Sequence, residues 1–478
     1  MSASLGEAKN GERKSSERLK LFLLSCLYFL IIAGYTVLRD IKNTIFMSTV
    51  GADYIPYASF GAFLFLIPAI LFYSKLVDRV RRHQLLMIYS VFFAIFAFIV
   101  GMFFIAHPTI GLPNTQQSPY RLFGWLFYFV VEGFTPFVIS VLWSFINSVS
   151  NPKEARRSYG LLVGGSKIGG IVSAGFSWVL FGSTLLPFVG GLSGVVKHQV
   201  AMFMSAGFLI LIPFVVRYLM KHVAGYHMHG YEAVYKVEKT RSKEGKAKTG
   251  IWAGLKMLIR YPYVLGIFGM VYFYEILAKV LSYLRLLVAK SGTSSAAEIS
   301  SFLFKWVFIM QIVGLVISVF GTTAIMKRFS QRFSLLLIPV FMAIGSFLFF
   351  IGGDYKSITM IGYVMTKTMH YAFSYPVREQ LYIPTLKEIK FKSKSWIDAF
   401  GQKFSKLNGG VVNMIAIKLG PLGFPFLSGF FVVCIGLWMV VAFMLGIRYE
   451  RAIDNNEVIG LNGEGDEDDE QGAEKVAS

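Results

Sequence analysis

Residues 21–43 read LFLLSCLYFLIIAGYTVLRDIKN, an apolar run that carries no charged side chain before Arg39, Asp40 and Lys42. The uncharged part approaches the roughly 20 residues that a helix needs to cross the hydrocarbon of a bilayer. It lacks the period-two alternation of apolar and polar residues that marks a strand of a membrane barrel. The stretch therefore predicts a transmembrane helix that ends in ionisable residues.

Apolar stretches of this kind recur as far as Ile447, and the chain is 55% hydrophobic but only 15% charged. Such a composition lies outside the usual range of soluble domains. We predict an all-α membrane protein of about twelve transmembrane helices, with the lipid bilayer as its environment. The predicted spans are 19–38, 55–75, 84–106, 121–148, 159–184, 199–219, 262–289, 301–326, 333–353, 357–384, 396–418 and 422–447.

The net charge of +20 is spread between the apolar segments and is not gathered in one soluble module, which argues against a nucleic acid partner. Basic residues occupy every second connection, and the intervening connections carry almost none. By the positive-inside rule, both termini are predicted to be cytoplasmic, which requires an even number of spans. The basic connections hold Lys75, Arg79, Arg81 and Arg82; Lys153, Arg156 and Arg157; the linker 220–250; Lys327, Arg328 and Arg332; and Lys387, Lys390, Lys392 and Lys394.

An internal repeat divides the chain into two halves. PKEARRSYGLLVGGSKIGG (152–170) and FKSKSWIDAFGQKFSKLNGG (391–410) each lead from a basic loop into a helix with Ser-Lys and Gly-Gly. Lys167 and Lys406 are 239 residues apart, half the chain length, and repeated six-helix units are typical of transporters. The predicted units are an N-terminal segment 1–18, six-helix halves 19–219 and 262–447, a basic linker 220–261 and a tail 448–478 with the acidic run EGDEDDE, expected to be disordered.

The connection between the second and third spans reads KLVDRVRRH (75–83). This combination of Asp-Arg and paired basic residues is similar to the signature found at that position in the major facilitator superfamily. The resemblance implies a major-facilitator-like arrangement, with two pseudo-symmetric six-helix halves around a central site.

Ionisable side chains inside the spans are the candidate functional residues, because a charge at membrane depth needs a partner or a ligand. Lysines outnumber the glutamates available to neutralise them, which predicts a multiply charged anion as the substrate. Polyphosphate is the natural candidate, since ammonium and guanidinium groups both bind it well. The predicted substrate-binding residues are Lys42, Glu132, Lys167, Glu275, Lys279, Arg378 and Lys406.

Structural explanations compete for several of these charges. Glu275 and Lys279 are four residues apart and can form an intrahelical salt bridge. Arg39 and Asp40 can form a local pair, and Lys42, near the predicted end of its span, can extend to the membrane interface. The sequence alone leaves these alternatives open.

No catalytic, metal or cofactor site is predicted, so the chain is not expected to be an enzyme. GLLVGGSK (160–167) has the glycines of a phosphate-binding loop but lacks its Gly-Lys-Ser/Thr ending and lies in an apolar helix. A membrane enzyme would need clustered His, Asp or Ser at a membrane face, and His370 is the intramembrane histidine that we identify.

Four segments together resemble the nucleotide transporter family, the ATP/ADP translocases of plastids and obligate intracellular bacteria. The similarity covers about residues 15 to 447, and the four segments appear in the family's order. The segments are YTVLRDIKN (35–43), EGFTPFVISVLWSFIN (132–147), NPKEARRSYGLLVGG (151–165) and REQLYIPTLKEIKFKSKSWIDAFGQKFSKLNGG (378–410).

The resemblance implies a transporter that exchanges nucleotides, most often ATP for ADP, without hydrolysis or a bound cofactor. It assigns importance to Lys42, Glu132, Glu275 and Lys406. The chain departs from the family at Asn43, at Arg378 in place of lysine, in the stretch ILAKVLSYLR (276–285), and at Lys167, where the family usually has asparagine. An added cation in the cavity can favour a more highly charged substrate or alter the coupling ion.

We therefore expect a nucleotide exchanger in the inner membrane of an obligate intracellular bacterium, with its oligomeric state left open. Proton-coupled symport of a nucleotide or another phosphorylated metabolite is the alternative, with Glu132, Glu275 or Glu379 as the protonated group. In the exchange hypothesis Lys42, Lys167 and Lys406 bind the phosphates, Arg378 and Lys279 assist, and Glu132 and Glu275 pair with the lysines.

Overall fold

Twelve membrane-length helical segments run through the computed structural model of the protein. It describes residues 2–77, 80–149, 152–182, 187–223, 258–293, 295–317, 330–353, 355–385, 393–394, 396–455 and 457–460.

The first six helices form one half of the molecule. They are α1 (Ser2–Thr49), α2 (Ile55–Val77), α3 (Arg82–Ile99, extended by a π-helical turn Val100–Phe104), α4 (Leu122–Glu132, a π-helical turn Thr135–Ile139, then Ser140–Val149), α5 (Pro152–Phe181) and α6 (Gly194–His222).

The second half repeats this order. It contains α7 (Pro262–Lys290), α8 (Ala296–Val316), α9 (Gln331–Ile351), α10 (Lys356–Met369, a π-helical turn His370–Ser374, then Tyr375–Gln380), α11 (a π-helical turn Ile397–Gly401, then Gln402–Lys418) and α12 (Gly423–Asp454).

Helix α1 differs most from the prediction, which ended its span at residue 38. The helix continues to Thr49 and carries the charged motif within the bundle. Asp40 is fully buried and accepts hydrogen bonds from two arginines, while Lys42 is buried against Glu132. Partners on other helices satisfy these charges, so the helix has no physical reason to stop at the first of them.

Several other helix starts also differ from the predicted boundaries. α5 begins at Pro152 and α8 at Ala296, five to seven residues earlier than expected. Proline suits the first turn of a helix because the N–H that it lacks would have no intrahelical partner there. Ser295 precedes α8, and its side chain accepts a hydrogen bond from the Glu298 N–H, which caps the helix. The predicted end of that span, residue 326, lies outside the described residues.

The glycines of the internal repeat allow close helix packing in both halves. A side chain at Gly169 of α5 would collide with the Phe29 carbonyl oxygen of α1. In the other half, a Cβ atom at Gly409 of α11 would lie 2.7 Å from the Ile276 carbonyl oxygen of α7. The repeated Gly-Gly pair thus brings α5 onto α1 and α11 onto α7 in the same manner.

Nine of the described helices are long and apolar enough to cross a membrane, namely α1 to α4, α6 to α9 and α12. The other three, α5, α10 and α11, carry ionisable residues, including Lys167, Arg378 and Lys406. Their lower apolarity is consistent with helices that face the interior between the halves. The predicted all-α fold of about twelve transmembrane helices in two six-helix halves is confirmed.

Each half has a hydrophobic core, and that of the first half also includes Phe304 and Val307 of α8. A third cluster joins the halves at one end. From the first half this cluster takes the last turn of α1 and the start of α2, including Phe46, Val50 and Ala58. From the second half it takes the last turns of α7 and the first turns of α8, including Leu286 and Leu303. We call this the sealed end of the bundle.

Parts of the predicted organisation fall outside the described residues. They are residues 78 and 79 of the second connection, most of the 220–261 linker and the tail from residue 461. Just before that tail, the Ile459 N–H donates a hydrogen bond of 2.7 Å to the Pro384 carbonyl oxygen, at the connection that follows α10. Arg448 of α12 donates to both carboxylate oxygens of Glu457.

Candidate functional site

Lys42 and Glu132 form an ion pair between α1 and α4. The lysine side chain is 5% exposed, whereas the glutamate is 38% exposed. The ammonium group also lies 4.1 Å from the centre of the Tyr128 ring. Lys42 therefore does not extend to an interface, and it presents its charge beside a carboxylate that solvent can reach.

A break in α4 follows directly after Glu132. Pro136 has no N–H to donate to the Glu132 carbonyl, and its ring would clash with that carbonyl in a regular helix. The helix accommodates this by widening into the π-helical turn Thr135–Ile139. α10 has a similar π-helical turn, His370–Ser374, shortly before Pro376. The equivalent helices of the two halves are thus interrupted beside the candidate site.

Lys279 of α7 crosses to the first half. Its ammonium group donates a hydrogen bond of 2.8 Å to Ser59 Oγ of α2, and Ser59 Oγ lies 2.9 Å from the Tyr128 hydroxyl. This arrangement places Lys279 beside the Lys42–Glu132 pair, within electrostatic range of both. The intrahelical salt bridge between Glu275 and Lys279 that the sequence left open is replaced by these contacts.

Lys406 of α11 approaches Glu275 of α7, with 3.7 Å between Nζ and Oε2. The lysine side chain is 51% exposed and the glutamate only 12%. Lys406 is also in electrostatic range of Lys279 and Glu132. Five of the predicted residues thus come together from four helices. We call them the glutamate–lysine cluster: Lys42, Glu132, Glu275, Lys279 and Lys406.

Arg378 lies elsewhere, near the end of α10. Its guanidinium is 3.9 Å from the Asp398 carboxylate at the start of α11. The adjacent Glu379 accepts a 2.6 Å hydrogen bond from Lys394. Both pairs join α10 to the segment that leads into α11. Arg378 therefore lies outside the glutamate–lysine cluster, although it shares with Lys406 an electrostatic interaction with His370.

A second charged group surrounds Asp40. This carboxylate is 0% exposed and accepts hydrogen bonds from Arg39, at 2.8 Å, and from Arg285 of α7, at 2.9 Å. The Arg285 guanidinium also lies 5.2 Å from the centre of the Tyr363 ring. The local Arg39–Asp40 pair therefore exists, and Arg285 extends it across the two halves.

Lys167 of α5 also reaches the other half of the molecule. Its ammonium group donates a hydrogen bond of 3.3 Å to Gln311 Oε1 of α8. It lies in electrostatic range of Arg39. These contacts are with Gln311 and Arg39, which both lie outside the glutamate–lysine cluster.

Three polar contacts were not identified from the sequence. They are Lys279–Ser59, Lys167–Gln311 and Arg285–Asp40. None has a local pattern that distinguishes it, because each depends on a partner more than a hundred residues away. The expectation of His370 as the intramembrane histidine was too narrow. His198, within α6, is fully buried, and its ring interacts with Ser300 Oγ at 3.0 Å.

No group of three or more His, Cys, Asp or Glu residues that would hold a metal ion occurs in the part of the chain that the structure describes. The arrangement is instead a set of lysines and arginines with fewer carboxylates, held between two helical halves. Such a site can bind an anion through charge-assisted hydrogen bonds and release it when the halves move apart.

Comparison with known proteins gives consistent matches along the chain. A sequence model described as TLC ATP/ADP transporter matches residues 14–356 and 355–449. ADP,ATP carrier protein 1 of Chlamydia trachomatis is 24% identical over 476 residues, covering 89% of this chain and 88% of the relative. ADP,ATP carrier protein 1 of Rickettsia prowazekii is 21% identical over 501 residues, with 92% and 95% covered.

Solved structures share the fold at low sequence identity. The inward-open structure of the xylose transporter XylE from E. coli superposes with a TM-score of 0.57 at 11% identity, covering 90% of this chain and 95% of the other. A structure of the peptide transporter POT in complex with sulfate gives a TM-score of 0.51 at 14% identity, covering 91% and 94%. These similarities show a shared transporter fold and carry no information about the substrate.

Proposed function

Because the chain belongs to the TLC ATP/ADP transporter family, we propose that it exchanges ATP for ADP across a membrane by alternating access, without hydrolysing either nucleotide. The observation that carries the proposal is the glutamate–lysine cluster. It places three ammonium groups and two carboxylates between the halves, on α1, α4, α7 and α11. Such a site suits a substrate with several negative charges.

In this proposal the phosphates of the nucleotide bind Lys42, Lys279 and Lys406. Each phosphate oxygen can accept a charge-assisted hydrogen bond from an ammonium group. The ionised glutamates are acceptors too, so they cannot donate to the phosphates. Glu132 and Glu275 exchange their lysine contacts for the phosphates when the nucleotide enters. Arg378, which pairs with Asp398, holds the connection between α10 and α11 and acts on the substrate indirectly.

Exchange follows from the charges of the cluster. Closure of the cavity brings cations together and removes water from them, which is costly unless an anion neutralises them. A bound nucleotide lowers that cost and favours the closed form. The halves therefore alternate with nucleotide bound and resist alternation without it, so entry of one nucleotide is tied to exit of another.

For the orientation, we propose that the basic connections lie in the cytoplasm of a bacterium, as the positive-inside rule favours. The end of α12 and the start of α1 then face the cytoplasm, and the sealed end faces outward across the inner membrane. The carrier relatives from Chlamydia and Rickettsia support a bacterial membrane.

Uptake of labelled ATP by E. coli cells that express the protein tests the proposal. Lys406→Ala removes a charge-assisted contact, and the loss of about 1.5–3 kcal/mol predicts roughly a 10- to 100-fold lower kcat/KM. Lys418→Ala is the matched control, since Lys418 is an exposed lysine at the other end of α11. Full uptake by both Lys406→Ala and Lys42→Ala would show that the cluster is not the binding site.

Exchange and proton-coupled symport are separated by preloading. Proteoliposomes that contain ADP should take up labelled ATP at a high rate, and liposomes without internal nucleotide should take up little. Uptake that follows an imposed pH gradient and needs no internal nucleotide would contradict exchange.

A further inference from the structure

A second group of cations lies around Arg39 and Asp40 of α1. We call it the arginine–lysine cluster: Arg39 of α1, Lys167 of α5, Arg285 of α7 and Lys367 of α10. Asp40 is the carboxylate at its centre, and both arginines donate to it. One carboxylate balances one of the two guanidinium charges, so this pairing alone leaves a net positive charge.

Lys167 and Lys367 add to that charge. Lys167 donates a hydrogen bond to Gln311, which is an uncharged amide. The Lys367 ammonium lies 5.7 Å from the centre of the Tyr274 ring and 6.0 Å from that of Tyr363, which also contacts Arg285. Aromatic faces attract a cation but do not neutralise it. Cations that are grouped inside a membrane protein in this way call for an anionic ligand.

The contact between α5 and α8 holds Lys167 in a reciprocal arrangement. Lys167 lies across Gly314 of α8, where an added Cβ atom would be 3.3 Å from its Nζ. Gln311 lies across Gly170 of α5, where a Cβ atom would be 2.8 Å from its Cδ. On both helices the polar residue precedes the glycine by three positions. Because neither glycine has a side chain, each leaves room for the polar side chain of the opposite helix. The Lys167 ammonium group is therefore held at the boundary between the halves.

The two clusters adjoin each other along α1. Arg39 and Lys42 are three residues apart, so their side chains leave the helix on neighbouring parts of one face. Lys367 of the second cluster is in electrostatic range of Lys279 of the first. An elongated chain of phosphates can therefore contact both groups at once.

We propose that the arginine–lysine cluster is a subsite for the terminal phosphate of a nucleoside triphosphate, and that Lys167 determines specificity for the number of phosphates. A diphosphate is held by the glutamate–lysine cluster alone, and the third phosphate reaches Lys167, Arg39 and Lys367. The inference rests on the proposed nucleotide transport and assigns the terminal phosphate within it.

Transport kinetics of reconstituted Lys167→Gln test the inference. We expect the KM for ATP to rise about 10- to 100-fold, the effect of losing one charge-assisted hydrogen bond, with less than a threefold change for ADP. Lys167→Arg keeps the charge and should retain most of the ATP affinity. Lys305→Gln is the matched control, because Lys305 lies on α8 but is exposed. Lys367→Gln should show the same selectivity as Lys167→Gln.

Equal changes for ATP and ADP in the Lys167 and Lys367 variants, or no change, would overturn the subsite. The wild-type protein gives an independent readout that needs no variant. Inorganic triphosphate should inhibit ATP uptake more strongly than inorganic diphosphate, and equal inhibition also overturns the inference. Failure of the wild-type protein to transport either nucleotide would instead refute the proposed function, so the two failures are distinguishable.

Discussion

Arg285→Met is expected to loosen the sealed end of the transporter. Arg285 is 7% exposed and donates to Asp40 across the two halves at 2.9 Å. Methionine keeps an unbranched side chain in the same space but removes the hydrogen bond and the charge. The halves must separate at this end for the cavity to open there, so the contact opposes that movement.

The size of the effect follows from what Asp40 retains. Its other partner, Arg39, remains 2.8 Å away on the same helix, so the variant does not leave a buried carboxylate unpaired. The loss is therefore that of one charge-assisted hydrogen bond, about 1.5–3 kcal/mol, rather than the larger penalty of an uncompensated buried charge. A change of this size raises the population with an open outer end roughly 10- to 100-fold.

Thiol labelling measures this population. Cys26 and Cys434 are first replaced by alanine. Ala289→Cys then serves as the reporter, at a position only 2% exposed in the hydrophobic cluster of the sealed end. The labelling rate by a membrane-impermeant reagent should rise in proportion to the open population when opening is fast. Lys290→Gln is the matched control, since Lys290 also crosses to the first half, contacting Gln117 at 3.2 Å, but is exposed there.

Two results would refute this reasoning. A labelling rate for Arg285→Met within twofold of the parent protein would show that the pair does not hold the end closed. An equal increase in the labelling rate of Lys290→Gln would show that buried and exposed contacts between the halves stabilise the closed end to the same extent.

Gly345→Ala should lower the apparent Tm of the purified protein, because the added Cβ atom would lie 2.8 Å from a backbone carbonyl oxygen of α10. Overpacking of this kind costs about 1–3 kcal/mol. Gly436→Ala is the control: a Cβ atom there would have nothing within 4 Å, so this variant should be neutral or stabilising. Hydrogen bonds from Arg448 hold the pKa of Glu457 below its ordinary value. Residues 457–460, which follow α12, should therefore be held in place at neutral pH and loosen as the pH falls through that lowered pKa. The protection of the Ile459 amide against hydrogen exchange, relative to an unstructured peptide at the same pH, should fall in the wild type as the pH is lowered. It should not change in this way in Glu457→Gln, and equal protection factors in both proteins would contradict the prediction.

Much of the fold was predictable because the length of an apolar run can be read directly from the sequence, without knowledge of tertiary contacts. The runs that predicted twelve spans correspond to α1 through α12, and the glycine pairs of the repeat predicted two related halves. The end of α1 was not predictable, because Arg39, Asp40 and Lys42 interrupt the apolar run. Whether they end the helix depends on partners such as Arg285 and Glu132, which are distant in the sequence.

The candidate site was predictable in its residue types but not in its grouping. Charges inside apolar segments identify themselves, and the hypothesis that the glutamates pair with lysines matches the contacts of Glu132 and Glu275. The sequence could not show that Lys42 contacts Glu132 while Lys167 contacts Gln311, since helix rotation and packing decide that. The transport roles of these residues stay predictions.

The two repeated lysines, Lys167 and Lys406, occupy equivalent places in pseudo-symmetric halves but make different contacts. Lys406 approaches Glu275 within its own half, so a rigid movement of the halves preserves that pair. Lys167 bonds to Gln311 of the opposite half, so the same movement changes its surroundings. A phosphate bound at Lys167 therefore interacts differently with the two conformations, and differential interaction is what a ligand needs to shift a conformational equilibrium. In this scheme Lys406 contributes affinity in both conformations, whereas Lys167 links the terminal phosphate to the movement itself.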